Sequence, residues 1–570
     1  MYTTSTAFLE ALVEAGVSYI FANFGSDHPA LLEALAEAKA TGRPAPEVIT
    51  CPNEMVALSA AHGHVRVSGK AQTVLVHVEC GTQALAGAIH NADKGRAPVL
   101  IFAGASPFTQ ENELRGSRNE FIQWIQDVHD QRGLVRGYMR YDNEIRSGRN
   151  VKQLVHRAMQ FAHSDPAGPV YLMGAREVME EEITPVTINL AEWGPIAPCA
   201  LPASGVDEIA EALIAARRPL VVTSYVGRKP EAVRTLEELC TAFGIGVTES
   251  VPSYVNFPNE NTMYLGNQWN QPVQNRALGD ADVVLVVDSD VPWIPVVSRP
   301  KSDATIFHID ADPLKQQMPL WYIPARQRFR SDSVTALQQI LDALDARAKP
   351  AAARIAERRA HYTRMHEARA EMLAQKERPG PVITPEYLTA CVRKLIDDDT
   401  IVLNEGITSY HTVCDHLRLS QPGSLFASGA GSLGWNGGAA IGVKLAAPDK
   451  TVIALTGDGS YMFSVPSTVH WMARQYRTPF LQVIYNNRGW KAPKMSLLAV
   501  HPEGHAARAN EIGVSFDPPP DYSGIAAAAG GAHARKVEKP EELEQALAEA
   551  LDVVKTEKRC AVLDIWLPHL

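Results

Sequence analysis

The 570-residue chain has no apolar run long enough to cross a bilayer. Its strongest apolar stretches, such as residues 74–78 and Val283–Val287, are strand length, whereas a spanning helix needs about 20 residues. Cysteine is sparse. Cys51, Cys80, Cys199, Cys240, Cys391, Cys414 and Cys560 are scattered with no C-x-x-C pair, which excludes a zinc knuckle or a disulfide framework and predicts reduced thiols in a cytoplasm. The amino-terminal MYTTSTAFLEALVEAG has no basic n-region or cleavage site and reads as the start of an amphipathic helix. No excess of positive charge exists either. Lys and Arg number 54 against 64 Asp and Glu, a net charge of −10 spread along the chain, which argues against a nucleic-acid surface. No G-x-G-x-x-G follows any strand-like segment, so a dinucleotide turn is missing and a flavin in the middle of the chain is not expected.

What is present is α/β punctuation. Length alone predicts about three or four domains. Over residues 1–190 helix-like and strand-like segments alternate: helix 5–15, strand 19–24, helix 28–38, strand 47–49, helix 54–67, strand 73–78, helix 82–94, strand 99–103 and a last strand at 169–172. Repeated βα units predict a doubly wound parallel sheet. A Pro-containing linker at 195–202 leads to a second unit over 200–345, with strands at 219–223, 246–248, 282–287 and 305–309. Residues 346–380, rich in Ala, Arg and Glu, read as a solvated connecting helix whose basic residues form an exposed face. A third α/β unit occupies 381–570 and closes with an amphipathic helix at 540–554. The thirds are alike in pattern, without a close sequence repeat.

The third unit holds the most informative stretch, residues 457–490, GDGSYMFSVPSTVHWMARQYRTPFLQVIYNNRGW. A strand at 451–455 ends on Gly457-Asp458-Gly459-Ser460. A helical crossover then leads to a strand at 480–485 that ends on Asn486-Asn487. Parallel strands joined in this way bring both tips to one sheet edge, where open α/β sheets bind ligands. Asp458 and Asn487 should therefore lie side by side. A carboxylate and an amide oxygen are hard ligands suited to Mg²⁺, and Gly459 leaves backbone open to a phosphate.

GDGS, a helix and then NN resembles the diphosphate-binding motif of thiamine diphosphate (ThDP) enzymes. The resemblance implies Asp458 and Asn487 as side-chain ligands of Mg²⁺, the carbonyl of Gly489 as a third, and Gly457, Gly459 and Ser460 around the diphosphate. It extends over SGAGSLGWNGGAAIGVKLAAPDKTVIALTGDGS, where Leu433 aligns with the bulky residue that bends the cofactor. Thr408 and Ser409 stand on a strand-to-helix turn whose N–H and hydroxyl donors suit a phosphate or a helix cap. Tyr410, His411, Lys491, Lys494 and His501 are weaker candidates near the mouth of the site. In the amino-terminal unit, CPNEMVALSAAHGHVRVSGK resembles the family's Glu helix. This implies that Glu54 bonds the cofactor's aminopyrimidine and promotes loss of the thiazolium proton. His77, at a strand end, resembles the active-site His of the benzoylformate decarboxylase branch. Phe24-Gly25-Ser26-Asp27-His28-Pro29 departs from the family's FGxPG, making His28 a candidate facing substrate, although the same residues fit a helix cap by Ser26 or Asp27.

The resemblance spans nearly the whole chain. It implies three doubly wound domains, pyrimidine-binding, Rossmann-like middle and diphosphate-binding, in a homodimer or homotetramer with sites between subunits. It further implies a ThDP- and Mg²⁺-dependent, acetolactate synthase-like enzyme that decarboxylates and ligates a 2-oxo acid. A benzoylformate-decarboxylase-type decarboxylase or a 2-hydroxyacyl lyase stands as the alternative, favoured by His77. A non-catalytic ThDP-binding scaffold is the reading from another class, and neither nucleic acid nor membrane is an expected partner.

Overall fold

The structure, a computed structural model, describes residues 1–269, 271–347, 349–509 and 513–569. Three six-stranded sheets follow one another along the chain, every strand parallel to its neighbours. The first contains β1 (Tyr19–Ala22), β2 (Glu47–Thr50), β3 (Gln72–Val76), β4 (Val99–Ala105), β5 (Tyr141–Ile145) and β6 (Val170–Ala175), in spatial order β2-β1-β3-β4-β6-β5. The second contains β7 (Pro219–Thr223), β8 (Gly246–Ser250), β9 (Tyr264–Gln268), β10 (Val283–Val287), β11 (Thr305–Asp310) and β12 (Gln327–Arg330), ordered β12-β11-β10-β7-β8-β9. The third contains β13 (Thr400–Glu405), β14 (Leu425–Phe426), β15 (Thr451–Gly457), β16 (Leu481–Asn486), β17 (His533–Val537) and β18 (Ala561–Trp566), ordered β14-β13-β15-β16-β18-β17. The central strands are buried and largely apolar, as in parallel sheets covered by helices on both faces. β10 is all valine and leucine, and every residue of it is buried.

The strand order reverses between β1 and β3 in the first sheet and between β13 and β15 in the third. Chain leaving a strand at such a point turns one way and its neighbour turns the other, which opens a crevice beyond the carboxyl ends. The first and third units meet along two helices, Glu54–Ser68 and Trp435–Ala446. Small residues let them approach: a Cβ on Gly442 would lie 1.8 Å from the carbonyl oxygen of Ala60, and one on Gly63 would lie 2.3 Å from that of Ala439. The first and second units are joined by charge. Arg96 reaches Asp290 and Asp310, both at 3.2 Å, and Lys315 reaches the same carboxyls at 2.7 and 2.6 Å. A buried cluster of this kind holds because each charge is paired.

Three sequence expectations are corrected. The edge of the first sheet is β5, absent from the strands expected, and β6 lies inside it. The helix expected from Thr82 begins at Val78, directly after His77, and breaks in two at Ala86, where φ is 37°. The connecting helix, Ala352–Lys376, is not wholly solvated. Arg358 is buried and donates to the carbonyls of Leu213 and Ala216, and Tyr362 donates to that of Pro219.

A candidate site at the carboxyl ends of two sheets

In the third sheet β15 and β16 pair in register to Gly457 and Tyr485, which sets Asp458 and Asn487 on neighbouring tips. Asp458 is only 3% exposed. One carboxylate oxygen accepts the N–H of Gly459 at 2.9 Å and the other accepts that of Gly489 at 2.9 Å, so the aspartate ties the two turns together. Burial pushes its pKa up to about 6 against these donors. Asn487 is 8% exposed, and its side-chain oxygen is buried without a hydrogen-bond partner. An orphaned buried acceptor costs on the order of 1–3 kcal/mol. Gly489 sits at φ 155°, and its carbonyl accepts the N–H of Lys491 at 3.1 Å, leaving a second lone pair. Nothing lies within 4 Å of a Cβ placed on Gly457, whereas one on Gly459 would strike the Trp490 ring at 2.2 Å.

These features fit a divalent cation and a diphosphate. Among the described residues no ion pair to the carboxylate is found, the amide oxygen lacks a donor, and Gly457 leaves room beside them. Among the described residues no group of three or more His, Cys, Asp and Glu side chains converges as a metal site. The cradle at Asp458 instead combines one carboxylate with amide and carbonyl oxygens, the set Mg²⁺ accepts when water and phosphate complete its shell.

Across the reversal point, β13 leads into the turn of Thr408 and Ser409. Ile407 is held at φ 44°, a conformation a β-branched residue rarely adopts, and Asn404 braces the turn by accepting the Gly406 N–H at 3.0 Å. Glu405, absent from the sequence candidates, occupies the centre of this region. Its carboxylate accepts the N–H groups of Gly434 at 2.6 Å, Trp435 at 3.2 Å and Asn436 at 2.7 Å, the otherwise unpaired donors of the helix Trp435–Ala446. Burial raises its pKa to about 7 despite these bonds. Half-buried Leu433 directly precedes this cap, and Gly434 takes φ 94° where a Cβ would meet the Phe463 carbonyl at 2.5 Å. The end of β13 and the Leu433 turn are thereby fastened to each other.

In the first sheet the ends of β1, β2 and β3 carry the second group. Glu54 is the first residue of its helix, which Asn53 caps by accepting the Val56 N–H at 3.1 Å. Its Oε1 accepts from the Asn23 amide at 2.7 Å, and Gly81 leaves space beside it. His77 closes β3. Its Nδ1 is 2.5 Å from Asp27 Oδ1 and its Nε2 is 3.0 Å from Gln126 Oε1. The hydrogen bond to Asp27 raises the His77 pKa above its usual value, overcoming partial burial. His28 is placed differently. It is buried between Phe24 and Phe102, accepts the Gly25 N–H at 3.0 Å, and burial lowers its pKa. The expected cap by Ser26 or Asp27 does not form; the helix Pro29–Thr41 starts without a side-chain cap.

The structure therefore assembles two groups of residues, and among the described residues they share no hydrogen-bond partner. Glu54 and His77 bond within the first unit; Asp458 bonds to Gly459 and Gly489 of the third. Tyr410 is a structural link: it is buried, donates to the Pro252 carbonyl at 2.6 Å and stacks on Trp269. Lys491 and Lys494 lie on an exposed helix, Lys491–Val500, and His501 follows it. Asn23, Gln126 and Glu405 escaped the sequence reading, and Asp27 entered it only as a possible helix cap. Carboxyls and amides at strand ends are common, and their roles depend on contacts distant in the chain.

Comparison with known proteins gives three family-model matches in chain order. Residues 2–134 match the N-terminal TPP binding domain of the thiamine pyrophosphate enzymes, residues 206–318 the central domain, and residues 406–565 the C-terminal TPP binding domain. Similar curated proteins include benzoylformate decarboxylase of Pseudomonas aeruginosa, 25% identical with 85% of this chain and 86% of that protein covered. Acetolactate synthase of Bacillus subtilis is 23% identical, with 84% and 80% covered. Among solved structures, the thiamine diphosphate-dependent 4-hydroxybenzoylformate decarboxylase of Rhodococcus jostii superposes with a TM-score of 0.79 at 21% identity, covering 100% of this chain and 99% of that one. At that identity the superposition speaks for the fold.

Proposed function

Because the chain belongs to the thiamine pyrophosphate enzyme family, we propose that it cleaves the bond between the carboxyl and carbonyl carbons of a 2-oxo acid, using thiamine diphosphate held through Mg²⁺. Asp458, the Asn487 side-chain oxygen and the Gly489 carbonyl would hold the ion; Thr408, Ser409, Gly457, Gly459 and Ser460 would surround the diphosphate, and Leu433 would abut the rings. The observation that carries this reading is the unpartnered Asn487 oxygen on the strand tip next to an uncompensated Asp458 carboxylate. When bound, the cofactor supplies an electron sink for the carbon that loses CO₂.

The remaining work falls to side chains of the chain. Glu54, oriented by its Asn23 bond and its helix terminus, would hydrogen-bond the aminopyrimidine. His77, fixed at the end of β3, would exchange a proton through Nε2 with the substrate's carbonyl oxygen or reacting carbon. Protonation of that carbon yields an aldehyde, and this outcome is the one favoured by His77 backed by a carboxylate. Ligation to a second carbonyl, the acetolactate synthase-like outcome, is supported by the motif run from residue 428 to residue 460 and by the acetolactate synthases among the relatives. His28, walled in by aromatic rings, would support the turn without meeting substrate.

A homodimer or a dimer of such dimers, with each site completed across subunits, is supported by two apolar surfaces. One holds Phe121 (76% exposed) and Ile125 (70% exposed) in the first unit, and the other holds Met462 and Phe463 beside the Asp458 turn in the third. Among the described residues no helix is long and apolar enough to cross a membrane. The test is a product screen: the protein with ThDP and Mg²⁺ against a panel of 2-oxo acids, with and without an acceptor aldehyde. CO₂ with aldehyde or ligated product is expected. ThDP binding without turnover of any 2-oxo acid would favour the scaffold reading instead.

A further inference from the structure

The turn after β1 carries a carboxyl group to which the reading above gives no role. Asp27 is 4% exposed. Its Oδ1 lies 2.5 Å from His77 Nδ1, and its Oδ2 accepts the Val78 N–H at 3.0 Å. Both partners belong to one turn, and that turn is strained: Val78 has φ 32°. Two glycines clear the space. A Cβ on Gly25 would fall 2.0 Å from His77 Nδ1, and a Cβ on Gly104 would fall 1.8 Å from Asp27 Oδ2. The ends of β1, β3 and β4 thus converge on one carboxylate–imidazole pair at the reversal point of the sheet.

The proton between these groups belongs to His77. The neighbouring His28 also brings Nδ1 within 3.1 Å of Asp27 Oδ1, but that nitrogen accepts the Gly25 N–H, so it carries no proton to share. His28 is buried among aromatic rings, where the neutral form is favoured. A carboxylate on one ring nitrogen of a histidine fixes the tautomer and leaves the other nitrogen to react.

We propose that Asp27 is a positioning residue that holds the proton of His77 on Nδ1 and turns Nε2 toward the reacting group. The proposal rests on the reading that His77 serves the 2-oxo acid reaction. Nε2 meets the carboxamide of Gln126, which also donates to Cys80 Sγ at 3.4 Å. Gln126 Oε1 can only accept, so with Nδ1–H on Asp27 both ring nitrogens donate in this arrangement and the ring is the imidazolium. The Nε2 proton is the one it would give to a substrate oxygen standing in place of Gln126 Oε1, leaving the neutral Nδ1–H tautomer. Of the other titratable groups, Glu54, from the helix after β2, and His28 act on the imidazole, and Glu54 bonds Asn23; Glu79 and Cys80, on the helix Val78–Ala84, bond each other and the amides of Gln83 and Gln126. Asp27 is the group in direct contact, and the space beside Gly104 is sized for an aspartate.

The test is NMR of the full-length protein with ¹³C,¹⁵N-histidine, the His77 signals being assigned among 18 histidines by their loss in His77→Ala. In the wild type, neutral His77 is expected as the Nδ1–H tautomer, with a titration midpoint above the ordinary value of about 6.5. Asp27→Asn should lower that midpoint by at least about one pH unit and move the corresponding limb of the pH–rate profile with it. An Nε2–H tautomer in the wild type overturns the proposal even if the variant fails to fold. An unchanged midpoint in folded Asp27→Asn also overturns it. If the predicted tautomer and shift appear but no 2-oxo acid is turned over, the proposal for Asp27 holds and the reaction assigned above fails.

Discussion

Asp458 accepts the backbone N–H groups of Gly459 and Gly489, and among the described residues no ion pair to it is found, which fits a cation beside this buried carboxyl. Glu54 is placed differently, with one oxygen committed to Asn23 and a helix terminus behind it. Replacing it with glutamine should preserve cofactor binding and cut turnover by roughly 10²–10⁴-fold, the range for a lost proton-transfer group. Steady-state rates beside calorimetric binding would check both halves, and near-normal turnover would contradict the role. The Asp27–His77 pair predicts a pH signature in stability. The folded His77 pKa is raised, so its contribution is complete below the unfolded value of about 6.5 and is lost as pH rises through the folded value. Asp27 is lowered. Burial pushes it up, but the two histidines and the Val78 N–H outweigh burial, so its contribution persists until pH falls through a value below about 3.9. The difference in thermal midpoint between wild type and Asp27→Asn should therefore be larger at pH 5 than at pH 9. A difference independent of pH would contradict the pairing.

At the scale of elements, the seam between the helices Glu54–Ser68 and Trp435–Ala446 fixes the first unit against the third, and Glu54 begins one helix while the Leu433 turn leads into the other. Gly442→Val would drive a side chain into the Ala60 carbonyl. Overpacking of this sort costs about 1–3 kcal/mol, and a lowered unfolding midpoint would be its measure. How legible each element was depends on what its residues do. β10 and β15 are buried on both faces and read as apolar runs. β5 (YDNEI) and β12 (QRFR) are edge strands exposed to water, with little apolar patterning to mark them. The motif at 457–490 was legible because a strand tip, a glycine and an amide recur there at fixed spacing. Asp27 was not, because its partner His77 lies 50 residues away and only the fold brings them together. Glu405 escaped for the same reason, being recognisable as a helix cap only once the helix Trp435–Ala446 is placed against it.

For the whole molecule, the two groups of site residues bond within separate units, and the apolar surfaces at Phe121–Ile125 and Met462–Phe463 flank them. The reading predicts a dimer or larger assembly by sedimentation velocity. Phe121→Asp together with Phe463→Asp should shift it toward monomer and reduce turnover; a fully active monomer would contradict sites shared between subunits. On the proposed reading a cation at the β15–β16 tips would anchor the cofactor, and calorimetric titration of thiamine diphosphate into metal-stripped protein tests that point most directly. Binding should require added Mg²⁺ and weaken by more than about tenfold in Asp458→Ala, since even outer-shell partners of a metal ligand are worth that much. Equal affinity with and without Mg²⁺, or in wild type and Asp458→Ala, would contradict the account.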